Sequence, residues 1–212
     1  MKFHLFSKIE FEVADPIALV ECFCIQTNFY SSYDLLLPNR TIEDVSKIGA
    51  RIDRDKLPAC KRIIKSSEKI PVFQIQLDNL LAQDDKAIKN HVIESSEVII
   101  RLMDQGIGLS QALKILHTVY PGIMPMIDSY LQEQYRLHID PCWKSENPEQ
   151  LLYDYYLNLK SQTTRKNLDD VYKSLKLPCL TKIRVFDIIW WSYLRSNSLT
   201  IKYRTVKLTT IS

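Results

Sequence analysis

A mainly α-helical domain is what this sequence predicts, and three observations predict it. Glycine is scarce, at 4 of 212 residues, whereas a β-sandwich or a dinucleotide-binding sheet of this size needs more of it for turns and phosphate loops. Apolar residues recur at three- and four-residue spacing in one segment after another. Helix starts and breakers, among them Asp15-Pro16, Thr41, Asp84-Asp85, Asn147-Pro148 and Pro178, separate those segments.

The length suits one large domain or two lobes sharing a core. The expected organisation is one helical domain over 1–212, with an N-terminal arm (1–14), a helical core (15–196) and a C-terminal extension (197–212). The core holds about nine to ten helices.

In chain order, Phe3, Leu5, Ile9, Phe11 and Val13 alternate with polar residues, so Met1–Val13 reads as a short strand or extended arm. Asp15 caps a helix that Pro16 opens and Gln26 closes. Tyr30–Pro38 is a loop. Thr41 caps a helix running to about Ala50, with Glu43 and Asp44 in its first turn. Asp53–Lys69 forms the next, with Ile63 and Ile64 inward and Lys61, Arg62 and Lys65 outward. Val72–Ala82 is a short helix or turn. Asp84-Asp85 caps a long helix to about Asp104, with Ile88, Val92, Ile99 and Leu102 on its inner side.

Leu109–Tyr120 and Asp128–Leu137 follow as helices. His138–Glu146 is a loop carrying Trp143. Helices then span Glu149 to about Ser161 and Asn167–Leu175. Thr181–Arg195 is the core helix of the C-terminal half. Leu199–Ile211, rich in Thr, Ile and Val, is a candidate strand for pairing with the N-terminal one in a small terminal sheet.

The net charge is +3, which permits nucleic-acid binding without demanding it. The five cysteines, Cys22, Cys24, Cys60, Cys142 and Cys179, form no C-x-x-C pair. They read as reduced thiols in a cytoplasmic protein without a zinc or iron–sulfur site. The N-terminus lacks the apolar run of a signal peptide, and no window is apolar enough for a membrane span. Asn39-Arg40-Thr41 is a chance sequon in that setting. No cofactor or metal is expected, because His4, His91, His117 and His138 show no ligand spacing.

The stretch with the most specific pattern is Leu102–Tyr130. Gly106-Ile107-Gly108 joins two helices, and Asp128 starts a third after Pro125-Met126-Ile127. Closely spaced glycines allow positive φ and close backbone approach, and the amides opening the second helix can hold a phosphate. The plainer alternative is an ordinary turn between helices.

In this register the segment Leu102-x-x-x-Gly106-Ile107-Gly108-x-x-x-Ala112 resembles the hairpin of the helix-hairpin-helix DNA glycosylase superfamily. Asp128 follows Gly108 by 20 residues, about where that superfamily has its catalytic aspartate. The resemblance implies a two-lobed, glycosylase-like helical fold that binds double-stranded DNA through Gly106, Gly108 and Ser110. It implies Asp128 as the carboxylate that stabilises the sugar cation when a flipped base is excised. Ser110 stands where lyase-competent members have lysine, which implies a monofunctional N-glycosylase of the adenine-mismatch type, a hydrolase of DNA repair. Gln105 and Gln111 depart from the family's residues at those positions. The chain also resembles a set of bacterial proteins without an established activity, through Leu116-His117, Pro125–Ser129 and Arg184, Asp187 and Trp191.

Each candidate has a structural alternative. Asp128 is a catalytic group or a helix cap. His117 and Tyr130 are pocket residues, or core and surface ones. Asp187 is a functional acid, or half of an internal pair with Arg184 that fixes helix packing. Tyr30, Tyr33, Tyr135, Tyr153, Tyr155 and Tyr156 are a base-stacking platform or core. One of Trp190 and Trp191 is core and the other lies near a pocket or the surface. The clusters Lys61-Arg62-Lys65, Thr164-Arg165-Lys166 and Lys202-Arg204-Lys207 are solvated faces, unless two of them flank the Gly106 turn. Glu43, Asp44, Glu94 and Glu97 are available as the acid that protonates a departing base. Two functions follow: a DNA-binding, glycosylase-type enzyme, or a non-catalytic helical interaction protein that keeps only the scaffold.

Overall fold

In the computed structural model, residues 1–6, 9–26, 41–175, 177 and 180–201 are described. The loop 30–38, Cys179, Pro178 and the basic cluster beyond 201 lie outside them, as do the side chains of 196–201. Among the described residues the chain forms one two-stranded sheet and nine α-helices, together with two short 3-10 segments.

The N-terminal arm is a hairpin, not a single strand. Strand β1 (Lys2–Leu5) pairs antiparallel with β2 (Ile9–Glu12), with Phe3 opposite Phe11. Phe3, Leu5, Phe11 and Val13 are buried, as the alternation predicts. A small sheet is thus present at the N-terminus, its two strands neighbours in sequence; residues 202–211 of the expected C-terminal strand lie outside the described residues. Leu199–Ile201 is helical, which overturns the strand expectation for those three residues.

The helices are α1 (Pro16–Gln26), α2 (Leu57–Ser67), α3 (Leu77–Leu81), α4 (Asp85–Met103), α5 (Leu109–Val119), α6 (Ser129–His138), α7 (Pro148–Lys160), α8 (Gln162–Ser174) and α9 (Lys182–Ile201). A 3-10 stretch, Ile42–Ile48, replaces the helix expected after Thr41. A second, Pro71–Phe73, follows α2. Several starts are secured by their own acids. Asp15 accepts from the Ala18 amide at 2.9 Å and Asp84 from the Ala87 amide at 2.8 Å. Thr41 donates its amide to Asp44 at 2.8 Å, and Gly49 ends that stretch at φ 74°.

Packing follows the buried stripes. Helix α4 lies along α7, α1 against α9, and α5 against both α4 and the Ile42–Ile48 stretch. Strand β1 rests on α8. One cluster of buried side chains draws on every helix and on the hairpin, with Trp190, Tyr155, Tyr156 and Phe186 among its largest members. No helix among the described residues is long and apolar enough to cross a membrane.

Candidate functional site

The Gly106 turn is stabilised by its own neighbours. Helix α4 ends as Gln105 and Gly106 donate to the carbonyls of Leu102 and Met103. Gly106 has φ 75°, the left-handed region that favours glycine. Gly108 has φ −77° and makes no such demand. The Gly108 amide donates to Gln111 Oε1 at 3.0 Å, and Gln111 Nε2 donates to the Arg51 carbonyl at 2.7 Å. Lys56 Nζ donates to the Gly106 carbonyl at 2.9 Å. Gln111 is thus the side chain that finishes the turn, satisfying an amide that opens α5.

Asp128 is the N-cap of α6. Its Oδ1 accepts from the Leu131 amide at 2.9 Å. Its Oδ2 accepts from Trp191 Nε1 at 3.3 Å, and the carboxylate lines a small cavity. The other walls include Lys114 from α5, Phe23 from α1, and Arg184, Asp187, Trp190 and Trp191 from α9. Four separate stretches of chain converge here because α1 and α5 both reach the end of α6 where α9 passes. The cavity measures about 30 Å³, room for a water and not for a nucleobase.

The cavity holds two acids and two bases in unlike environments. Asp187 is buried and accepts from Tyr155 Oη at 2.6 Å, the Met126 amide at 2.8 Å and Trp190 Nε1 at 3.2 Å. Burial pushes its carboxyl up to about 6, against the pull of these donors and of Arg184. Arg184 is buried, with its guanidinium 5.5 Å from the Phe23 ring centroid. Trp191 meets the same ring edge-on at 5.7 Å, and Arg195 lies over the Trp191 indole at 4.6 Å. Lys114 is half-buried. Desolvation and the Arg184 charge lower its pKa, while the Asp128 charge works against them.

The other candidates lie elsewhere. His117 is fully buried, with Nδ1 2.7 Å from the Met124 carbonyl. It does not line the cavity, because it belongs to the inward stripe of α5. Tyr130 is also outside the lining. Its hydroxyl donates to the Leu194 carbonyl at 3.4 Å, tying α6 to α9. Tyr155 and Tyr156 are core residues; Trp190 is buried in the core as well, and both it and the more exposed Trp191 line the cavity. Glu43 pairs with Lys61, and Asp44 with Lys47 and Thr41. Lys114 was the residue that sequence reasoning passed over. Its signal is a lysine set between Leu113 and Ile115 on an otherwise apolar stretch.

Among the described residues, no group of three or more His, Cys, Asp or Glu is arranged to hold a metal ion. A larger crevice of about 500 Å³ lies between α6 and α7, walled by Asp140, Cys142, Gln150 and Asp154. Its polar groups are bonded to one another: Tyr135 donates to Asp154 at 2.5 Å, and Gln150 donates to the other oxygen at 3.0 Å. No protein-family model, curated protein or solved structure matches this chain.

Proposed function

We propose that the chain is a DNA-binding protein with a glycosylase-type cleft, a monofunctional N-glycosylase in which Asp128 stabilises the sugar cation as the base departs. The observation that carries this reading is the division of labour within one carboxylate. Asp128 Oδ1 caps α6, and Oδ2 faces a cavity shared with Lys114, Arg184 and Trp191. A carboxylate held at a helix N-terminus is positioned before the reaction begins, which is how charge developing in a transition state is best stabilised. The cavity has the size of the attacking water. Lys56, bonded to the Gly106 carbonyl and paired with Asp53 at 3.0 Å, sets its ammonium at the turn where a phosphate would compete with that carboxylate.

A second reading, a non-catalytic helical binding protein that keeps the scaffold, draws on a specific observation too. The Gly108 amide that a phosphate would use is taken by Gln111. Duplex binding at about 50 and about 200 mM salt separates the two, since phosphate contacts make affinity fall steeply with salt. Excision is then measured for the wild type and Asp128→Asn on duplexes carrying a panel of damaged and mismatched bases. Salt-sensitive binding with excision lost in Asp128→Asn supports the enzyme. Equal inactivity of both proteins supports the scaffold.

A further inference from the structure

We infer that Lys114 is the proton donor of the Asp128 cleft, its ammonium group protonating the nitrogen of the departing base; this rests on the glycosylase reading above. The cavity needs such a group. Asp128 accepts N–H donors at both oxygens, from Leu131 and from Trp191, so it is arranged to take protons or charge and not to give a proton. Asp187 accepts from three donors and lies deeper. Arg184 does not release a proton in proteins. Lys114 is the remaining proton-bearing charge on the cavity wall.

Its placement suits the task. The segment Ala112-Leu113-Lys114-Ile115-Leu116 is buried at every position except the lysine, which is half-buried. Lys114 Nζ lies beside Gly49, at the end of the 3-10 stretch: a Cβ built there would meet it at 3.9 Å, an ordinary van der Waals contact. Among the described residues Nζ makes no hydrogen bond or ion pair of its own, so its protons are not committed to a structural partner. The charges acting on it are Asp128 and Arg184, with Asp187 on the same cavity wall. Desolvation makes it a readier acid than a surface lysine.

The step balances. The electron pair of the breaking C1′–N bond passes to the base nitrogen, which takes the proton of the Lys114 ammonium. Water bonds to C1′, and its proton leaves by way of Asp128 to solvent. The neutral amine regains a proton from solvent.

The test is single-turnover excision against pH for the wild type, Lys114→Met and Lys114→Arg, with duplex binding and thermal melts as controls. The wild type should lose rate on the alkaline side. Lys114→Met should bind duplex yet excise roughly 100-fold more slowly, without that alkaline limb. Lys114→Arg, whose guanidinium does not release its proton, should be slowed as Lys114→Met is. Titration of the Lys114 Cε resonance in the free protein is the second measurement: it should titrate below the other lysines, and lower still in Asp128→Asn. An active Lys114→Met with the wild-type profile overturns the assignment and leaves the glycosylase reading standing. So does a Lys114 that titrates with the surface lysines. Inactivity of the wild type on every duplex overturns both.

Discussion

The indole Nε1 of Trp191 donates to Asp128 Oδ2 at 3.3 Å, so a residue near the middle of α9 holds the carboxylate that starts α6. The bond joins residues 63 positions apart. It gives Asp128 a fixed direction that a cap alone does not, because a cap needs only one oxygen.

That separation makes the two roles of Asp128 testable. Asp128→Ala removes the cap and should cost about 1 kcal/mol of stability. Asp128→Asn keeps a side-chain oxygen for the Leu131 amide and should be the more stable of the two by roughly 1 kcal/mol, although, like Asp128→Ala, it loses the second oxygen that accepts from Trp191 Nε1. Urea unfolding of the two variants checks this. Equal losses would mean that the carboxylate charge, and not the cap, carries the stability.

The two hairpin glycines should respond differently. Gly106→Ala forces a Cβ into the left-handed region and should destabilise by about 1 kcal/mol. Gly108→Ala meets only Gln111 Oε1 at 4.0 Å and has φ −77°, so it should be nearly neutral. Parallel thermal melts read the difference.

Asp187 is the acceptor for three donors of the inner cavity wall. Asp187→Ala should cost roughly 3 kcal/mol by stranding buried donors. The wild-type group also sets a pH dependence. Its folded pKa is about 6 against 3.8 for the ordinary carboxyl, so the folded protein keeps a proton that the unfolded chain releases. The stability this contributes is full below about pH 4 and is lost as pH rises through about 6. Relative to Asp187→Asn, the wild type should therefore weaken across that window in denaturant melts.

His91 works in the opposite direction. Burial lowers it from 6.5 to about 4, and its Nε2 faces Tyr156 Oη at 3.4 Å. The unfolded chain takes up a proton that the folded one refuses, so stability falls as pH drops from about 6.5 towards 4. The loss should approach about 3 kcal/mol, from the size of the shift. His91→Gln should flatten that limb; an unchanged acid limb would move the effect to other groups.

Much of the fold was legible. The caps at Asp15, Asp84 and Asp128 and the glycine turn at Gly106 are local devices, and each stands where its residue type demands. The burial of Ile88, Val92, Ile99 and Leu102 follows from their spacing on one helix face. The start of α8 was less legible: Gln162–Lys166 is polar and shows no apolar stripe, yet it is helical because the helix is held by contacts to β1, α7 and α9. The cavity was legible at Asp128, Asp187, Arg184 and the Trp190-Trp191 pair taken singly, but not as one site. Lys114 reads as an ordinary helical lysine until α9 is laid across it.

By itself the sequence determined the helical class, most element boundaries, a glycine turn at Gly106-Ile107-Gly108 and the capping role open to Asp128, because each depends on residues within a few positions of one another. The tertiary structure alone decided which strand the N-terminal arm pairs with and that Gln111 fills the Gly108 amide while reaching Arg51. It also decided that Asp128 shares one cavity with Lys114, Arg184 and Trp191. Those depend on residues as far apart as Lys114 and Trp191, 77 positions, brought together by packing of apolar faces that carry no record of which polar groups will meet at their edges.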